Sequence, residues 1–131
     1  AIQGDNDYLY VGEENNDGGS VYVYNKSNLS LKNELNHTRD DVSSLGVDNG
    51  YVYVGDYDYD GYSQIYYKNN FSLKQEISTG KRVHSLHSGK KYLYLGLSDG
   101  YIKIYYKNKI YTKNKYFILI CKYRNLGIRF L

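Results

Sequence analysis

Short stretches in which apolar and polar residues alternate recur along the chain, each closed by Asn, Asp, Gly or Ser. Alternation sends successive side chains to opposite faces, so these stretches predict short strands. The clearest set lies in the middle. Val42 to Val47 is followed by "DNG" at 48–50, a tight hairpin turn, and then by Tyr51 to Val54. After an Asp-rich loop come Ser63 to Tyr67 and Phe71 to Ile77. The Tyr51 stretch is apolar on both faces, as a strand covered on both sides must be. The Phe71 stretch alternates only in part, as an outer strand half in water would. Apolar character therefore falls from the inner strands to the outer one.

The set is repeated. "YLYVG" at 8–12, "YVYVG" at 51–55 and "YLYLG" at 92–96 begin 43 and then 41 residues apart. Flanking segments repeat with them. "SVYVYNKSNLSLKNEL" from Ser20 answers "SQIYYKNNFSLKQEI" from Ser63, and "YIKIYYKNKIYTK" from Tyr101 is a looser third copy. The stretch "KYFILICKY" near the end fits no repeat well. A period of this length with four strands per repeat points to an all-β fold of stacked four-stranded sheets.

The residues resemble those of beta-propeller blades. "SDGYIKIYY" at 98–106 is similar to the end of a WD-type repeat with tyrosine in the place of tryptophan, and "YVYVG…DG…IYY" resembles the blades of quinoprotein-type propellers. There is no Trp-Asp dipeptide and no Gly-His pair ahead of the first strand. The resemblance implies three antiparallel four-stranded blades of 41–43 residues, at about 1–40, 41–80 and 81–121, with the start of a further blade at about 122–131. Three blades do not close a ring, since propellers typically need about four to eight. The phase places Ala1-Ile2 opposite Ser44-Leu45, inside a first strand, and "YRNLGI" from Tyr123 is similar to "VSSLGV" from Val42. Such a chain is expected to be a portion of a longer propeller or a protomer that closes head to tail with a second copy.

Charge sharpens the second alternative. Residues 101–131 hold eight Lys or Arg and no acid, whereas residues 1–40 hold seven acids against Lys26, Lys32 and Arg39. An acidic first blade would meet a basic last segment at a head-to-tail contact. Composition excludes other classes. The 131 residues, rich in Tyr at 19 and without Pro, Met or Trp, favour strands over a helical bundle and supply a modest core. No run is long and apolar enough to span a bilayer, and the first ten residues show no signal-peptide pattern. The single cysteine, Cys121, excludes an internal disulfide and points to a reducing, cytoplasmic compartment.

"GDYDYDGYSQIYY" at 55–67 carries the richest candidate chemistry. Asp56, Asp58 and Asp60 alternate ahead of Gly61, as oxygen ligands do in calcium loops, but Gln64 and Tyr67 stand where such a loop wants further acids. Only the Asp-Gly pair recurs, as Asp17-Gly18 and Asp99-Gly100, so the constant feature is a turn needing positive φ. Tyr57, Tyr59 and Tyr62 decorate that turn, and tyrosine offers large contact area at low entropic cost. The expected function is a non-enzymatic scaffold whose rim loops meet a protein partner. Its contact residues are Asp56, Tyr57, Asp58, Tyr59, Asp60 and Tyr62, with Glu13, Glu14 and Asp17 beside them. The alternative is a lectin-like or calcium-dependent module using the same rim, with Asp56, Asp58 and Asp60 as ligands. No cofactor motif is present, and His84 and His87, three apart on a strand, point to opposite faces. Lys103, Lys107, Lys109, Lys113 and Lys115 alternate with apolar residues as a solvated strand face does, which disfavours nucleic acid as the partner.

Overall fold

A computed structural model describes residues 1–15 and 18–108 in full, together with the strand backbone of Phe117–Lys122 and Gly127–Phe130. Among the described residues there are thirteen strands and no helix, arranged as three antiparallel sheets. The first sheet runs in order through β1 (Ile2–Gly4), β2 (Tyr8–Gly12), β3 (Val21–Asn25) and β4 (Leu31–Leu35). The second runs through β5 (Val42–Val47), β6 (Tyr51–Asp56), β7 (Tyr62–Tyr67) and β8 (Leu73–Ser78). The third comprises β9 (Val83–Ser88), β10 (Tyr92–Leu97), β11 (Tyr101–Tyr106), β12 (Phe117–Lys122) and β13 (Gly127–Phe130). Each sheet is a meander, and the first strands β1, β5 and β9 lie side by side at its inner edge.

The repeat read from the sequence is the repeat of the structure. Ile2 pairs with Val11 as Leu45 pairs with Val54, which preserves the phase between the first two sheets. Two details differ. Val21, not Ser20, takes the place of Ser63, because each stands opposite the strand-two glycine, Gly12 or Gly55. The loop between strands two and three is therefore one residue longer in the first sheet. At the other end, the unassigned "KYFILICKY" stretch contains β12, and β13 pairs with β12 as a fifth strand of the same sheet.

Two apolar layers hold the stack. Tyr10, Val21, Val23 and Leu35 of the first sheet pack on Val52, Val54, Tyr66 and Phe71 of the second. On its other face the second sheet sets Tyr53, Ile65 and Ile77 against Leu93, Leu95, Leu97 and Tyr105 of the third. Neighbouring residues of β6 thus serve opposite layers, and this explains why that strand reads apolar on both faces. Each aliphatic side chain so enclosed stabilises the fold by about 1.5–3 kcal/mol. Outermost β4 is mostly exposed, as the gradient from inner to outer strands requires.

In the first two sheets the hairpins joining strands one and two are built by their first residue. Asp5 Oδ1 accepts from the backbone N–H groups of Asp7 and Tyr8, and Asp48 Oδ1 does the same for Gly50 and Tyr51. At the opposite rim, the recurrent Asp-Gly turn behaves as its chemistry demands. Gly18, Gly61 and Gly100 have φ of 107°, 79° and 87°, the region glycine enters without steric cost.

Candidate functional site

The loops joining strands two to three and strands four to one share one rim. Asp41, in the linker from β4 to β5, ties two of them together. Its carboxylate accepts from Asn15 N–H at 2.8 Å in the first sheet's loop, and its carbonyl accepts from Tyr57 N–H at 2.9 Å in the second's. Glu13, Glu14 and the stretch 57–61 are therefore neighbours on this rim. Asp17, the ninth expected contact residue, lies outside the described residues.

The other eight fall into two groups. Asp56 is buried, and its carboxylate is occupied by N–H donors: Arg39 at 2.8 Å, Asp40 at 3.1 Å, Asp58 at 3.1 Å and the Gln64 Nε2 at 3.0 Å. Burial raises its pKa above the usual carboxylate value, against the lowering effect of those donors. Asp56 is thus an anchor beneath the rim. The same Gln64 Nε2 lies 3.2 Å from Glu76, whose other oxygen accepts from the Arg39 guanidinium at 2.6 Å. Arg39 also lies over the Tyr62 ring, 3.5 Å from its centroid. Tyr62 is in this way part of the anchor as well as of the rim.

Tyr57, Asp58, Tyr59 and Asp60 form the outward group. Tyr59 is 77% exposed, Asp60 is exposed, and Tyr57 and Asp58 are half-buried. The Arg82 guanidinium, from the linker between β8 and β9, sits 5.0 Å from the Tyr57 ring and 5.1 Å from the Tyr59 ring. Such cation–π contacts hold the rings in place without covering the loop with further chain. His84 adds a ring contact to Tyr57 at 5.3 Å, while His87 lies against Tyr94 at 6.0 Å, so the two histidines serve opposite faces. Glu13 is half-buried and accepts from the Tyr22 hydroxyl at 3.4 Å; Glu14 is exposed.

Asp56, Asp58 and Asp60 do not gather as a cation site: among the described residues no three His, Cys, Asp or Glu side chains are placed to hold a metal ion. Nor is any helix among them long and apolar enough to cross a membrane. A cleft of about 540 Å³ opens at the opposite, hairpin rim between the second and third sheets, lined by Asp48, Tyr53, Ser88 and Lys107 among others. Its charged walls already satisfy each other, because Lys107 Nζ lies 2.8 Å from Asp48 Oδ2.

The sequence points to no role for Arg39, Glu76 or Arg82, and it puts Lys103 and Lys107 on a solvated strand face, whereas Lys103 Nζ donates to the Thr79 carbonyl and Lys107 is largely enclosed against Asp48. Only the Lys107–Asp48 pair left a signal, a recurrent Asp and a recurrent Lys at fixed phase in the repeats.

No protein-family model and no curated protein matches the chain. Solved structures do. The beta-propeller domain of Cps50 (Swd1) from Myceliophteria thermophila superimposes with a TM-score of 0.74 at 10% identity, over 90% of this chain and 38% of that one. The computationally designed proteins Ika4 and Ika8 give TM-scores of 0.70 and 0.73, each at 20% identity, over 81% and 88% of this chain. The chain spans 64% of Ika4 and 34% of Ika8, hence less than two thirds of each of these three structures. At these identities the likeness speaks for the fold alone, and with three meandering sheets stacked face to face it makes the chain a partial beta-propeller of three blades.

Proposed function

We propose that the chain is a protein-interaction scaffold without catalytic chemistry of its own, and that Tyr57, Tyr59 and Tyr62, with Asp58 and Asp60, form its contact rim beside Glu13 and Glu14. The observation that carries this reading is Tyr59, 77% exposed at the tip of a loop whose base is pinned through buried Asp56. A large aromatic side chain held out on a fixed base pays little ordering entropy on binding. Asp60 and Glu14 give the rim an acidic border, which suits a basic partner surface.

The test uses the whole chain as bait in affinity capture, beside a Tyr57→Ala/Tyr59→Ala bait of unchanged melting temperature. A partner held by the wild-type chain and released by the double variant supports the reading. Equal retention on both baits sinks it, and retention that appears only with added calcium favours the lectin-like alternative.

A further inference from the structure

Ile2, Leu29 and Leu31, exposed by 69%, 68% and 58%, all belong to the first blade. Each occupies a position that the second blade buries or half-buries. Ile2 answers Leu45, which is 6% exposed, since they pair with Val11 and Val54 respectively. Leu29 answers Phe71: both sit at the turn from strand three to strand four, with φ of 58° and 59° and N–H bonds of 2.8 Å to Asn25 and Tyr67. Leu31 answers Leu73, paired with Tyr24 as Leu73 is paired with Tyr66. In the second blade Leu45, Phe71 and Leu73 pack on Tyr10, Val21, Val23 and Leu35 of the blade before. The outer face of the first blade is a second copy of that packing half.

A polar device marks the same junctions. Lys68 Nζ of the second blade lies 2.8 Å from Asp5 Oδ2 in the hairpin of the first, and Lys107 Nζ of the third lies 2.8 Å from Asp48 Oδ2 in the hairpin of the second. Within each hairpin the Asp also accepts from a strand-two tyrosine, Tyr10 at 3.0 Å or Tyr53 at 2.7 Å. Lys26 holds the equivalent place in the first blade. Its N–H bonds Asp7 carbonyl as those of Lys68 and Lys107 bond Gly50 and Lys91. Lys26 is exposed and makes no ion pair among the described residues. The latch runs from an Asp in one blade to a Lys in the next, and Lys26 is its open half.

We infer that the outer face of the first blade docks a further propeller blade whose hairpin between strands one and two carries an aspartate, Lys26 completing the latch. The partner blade presents a tyrosine and aliphatic side chains where this chain presents Tyr10, Val21 and Val23. A second copy of this chain would bring its third blade to the face. That blade supplies Tyr94, Ile102 and Ile104 at the corresponding apolar positions, yet its hairpin begins with Gly89, whose N–H bonds the Tyr92 carbonyl as those of Asp5 and Asp48 bond Tyr8 and Tyr51. Gly89 has no carboxylate to offer. The inference concerns a different face from the tyrosine rim and does not depend on it.

The chain itself, as Gly89→Asp, is the probe of an aspartate-bearing blade. Gly89 is outside the left-handed region, and an added Cβ would stand 3.2 Å from the Tyr94 ring, which can shift, and 3.2 Å from the Tyr92 carbonyl, a backbone position that Asp5 and Asp48 tolerate in the equivalent hairpins. Sedimentation velocity over a concentration series is expected to show Gly89→Asp associating about tenfold more tightly than the wild-type chain, as one charged hydrogen bond predicts. Adding Lys26→Ala should remove the gain. If Gly89→Asp melts early, the reversed pair Gly89→Lys with Lys26→Glu carries the same comparison. A folded probe with no gain, or a gain that survives Lys26→Ala, overturns the inference. So does a wild-type chain that already dimerises through this face and ignores Lys26→Ala, which would make a second copy the occupant.

Discussion

The two junctions between blades are alike at the hairpin rim and unlike at the loop rim. At the hairpin rim each is crossed by one Asp–Lys latch, Asp5 to Lys68 and Asp48 to Lys107. At the loop rim the first junction is closed by a buried carboxylate. Asp56 takes the N–H groups of Arg39 and Asp40 in the linker from the first blade, and the Tyr66 hydroxyl takes that of His37 at 3.2 Å. In the second junction Leu97 stands in the place of Asp56 and Gly80 in the place of Arg39, as the shared pairing with Val42 and Val83 fixes. There Lys103 Nζ reaches the Thr79 carbonyl at 2.8 Å instead. The hairpin latch recurs because it is made by a turn of constant length and a lysine of constant phase. The loop rim varies because its loops differ in length and sequence.

The largest expected effect separates the two loop rims. Asp56→Ala would strand the part-buried N–H groups of Arg39, Asp40 and Asp58 and the buried Gln64 amide, costing on the order of 4 kcal/mol in urea denaturation. The cost of Leu97→Ala is different in kind: about 3 kcal/mol of lost apolar burial and cavity, with no stranded donor. Asp56→Asn distinguishes the two further. It keeps the shape but exchanges an acceptor for a donor facing other donors, and should recover little. If Asp56→Asn were as stable as the parent, the anchor would be a matter of packing only.

Next come two glycines at positive φ, one on each side of the same contact. Gly61 has φ 79°, and a Cβ there would run into the Lys81 backbone; Gly80 has φ 76° and open space around it. Gly80→Ala should lose about 1 kcal/mol, the conformational cost alone, and Gly61→Ala about 3 kcal/mol because backbone must move as well. Equal losses would mean that the second and third blades do not touch where Gly61 meets Lys81.

Much of this architecture was legible in the sequence, and the limits have physical causes. Strand order, hairpin positions and the positive-φ glycines follow from alternation and local turn chemistry, so they appear in the residues concerned. The burial of Asp56 does not. "DYDYDG" reads as three equivalent acids, and what singles out the first is the return of a linker whose N–H groups need an acceptor. Gln64 and Glu76 likewise acquire their roles only when β6, β7 and β8 are in register. At the other extreme, Ile2 and Leu45 are similar residues at one repeat position with opposite burial, because burial there belongs to the neighbouring blade and not to the strand.

Smaller effects are expected at the hairpin latches. Lys68→Ala and Lys107→Ala should each lose about 1–2 kcal/mol, and by similar amounts if the latch is a repeated unit. Acid gives the complementary reading. Burial would raise the pKa of Asp5 and Asp48, but the paired lysine, the tyrosine hydroxyl and two N–H donors lower both below 3.8. Their contribution is therefore complete above that value and is lost as pH falls through the lowered pKa. Asp56 has the opposite sign. Its raised pKa makes ionisation unfavourable to the fold at neutral pH, and that penalty is relieved as pH falls through the raised value. Urea denaturation between about pH 5 and pH 2 should show Asp48→Asn flattening the acid loss and Asp56→Asn abolishing the opposing gain.

The smallest expected effect on stability is at Tyr59, and its smallness is the point. Exposed by 77%, its main partner is Arg82 at 5.1 Å, a half-solvated cation–π contact. Tyr59→Ala should change stability by no more than about 0.5 kcal/mol. Tyr62→Ala, by contrast, would remove the ring under Arg39, loosen the guanidinium that holds Glu76, and cost more. Two tyrosines of one loop are thereby distinguished, one built into the junction and one presented to solvent. Thermal melts of the two variants check the distinction directly. A Tyr59→Ala chain that melts as early as Tyr62→Ala would move Tyr59 into the fold's own support and leave the rim without its leading contact.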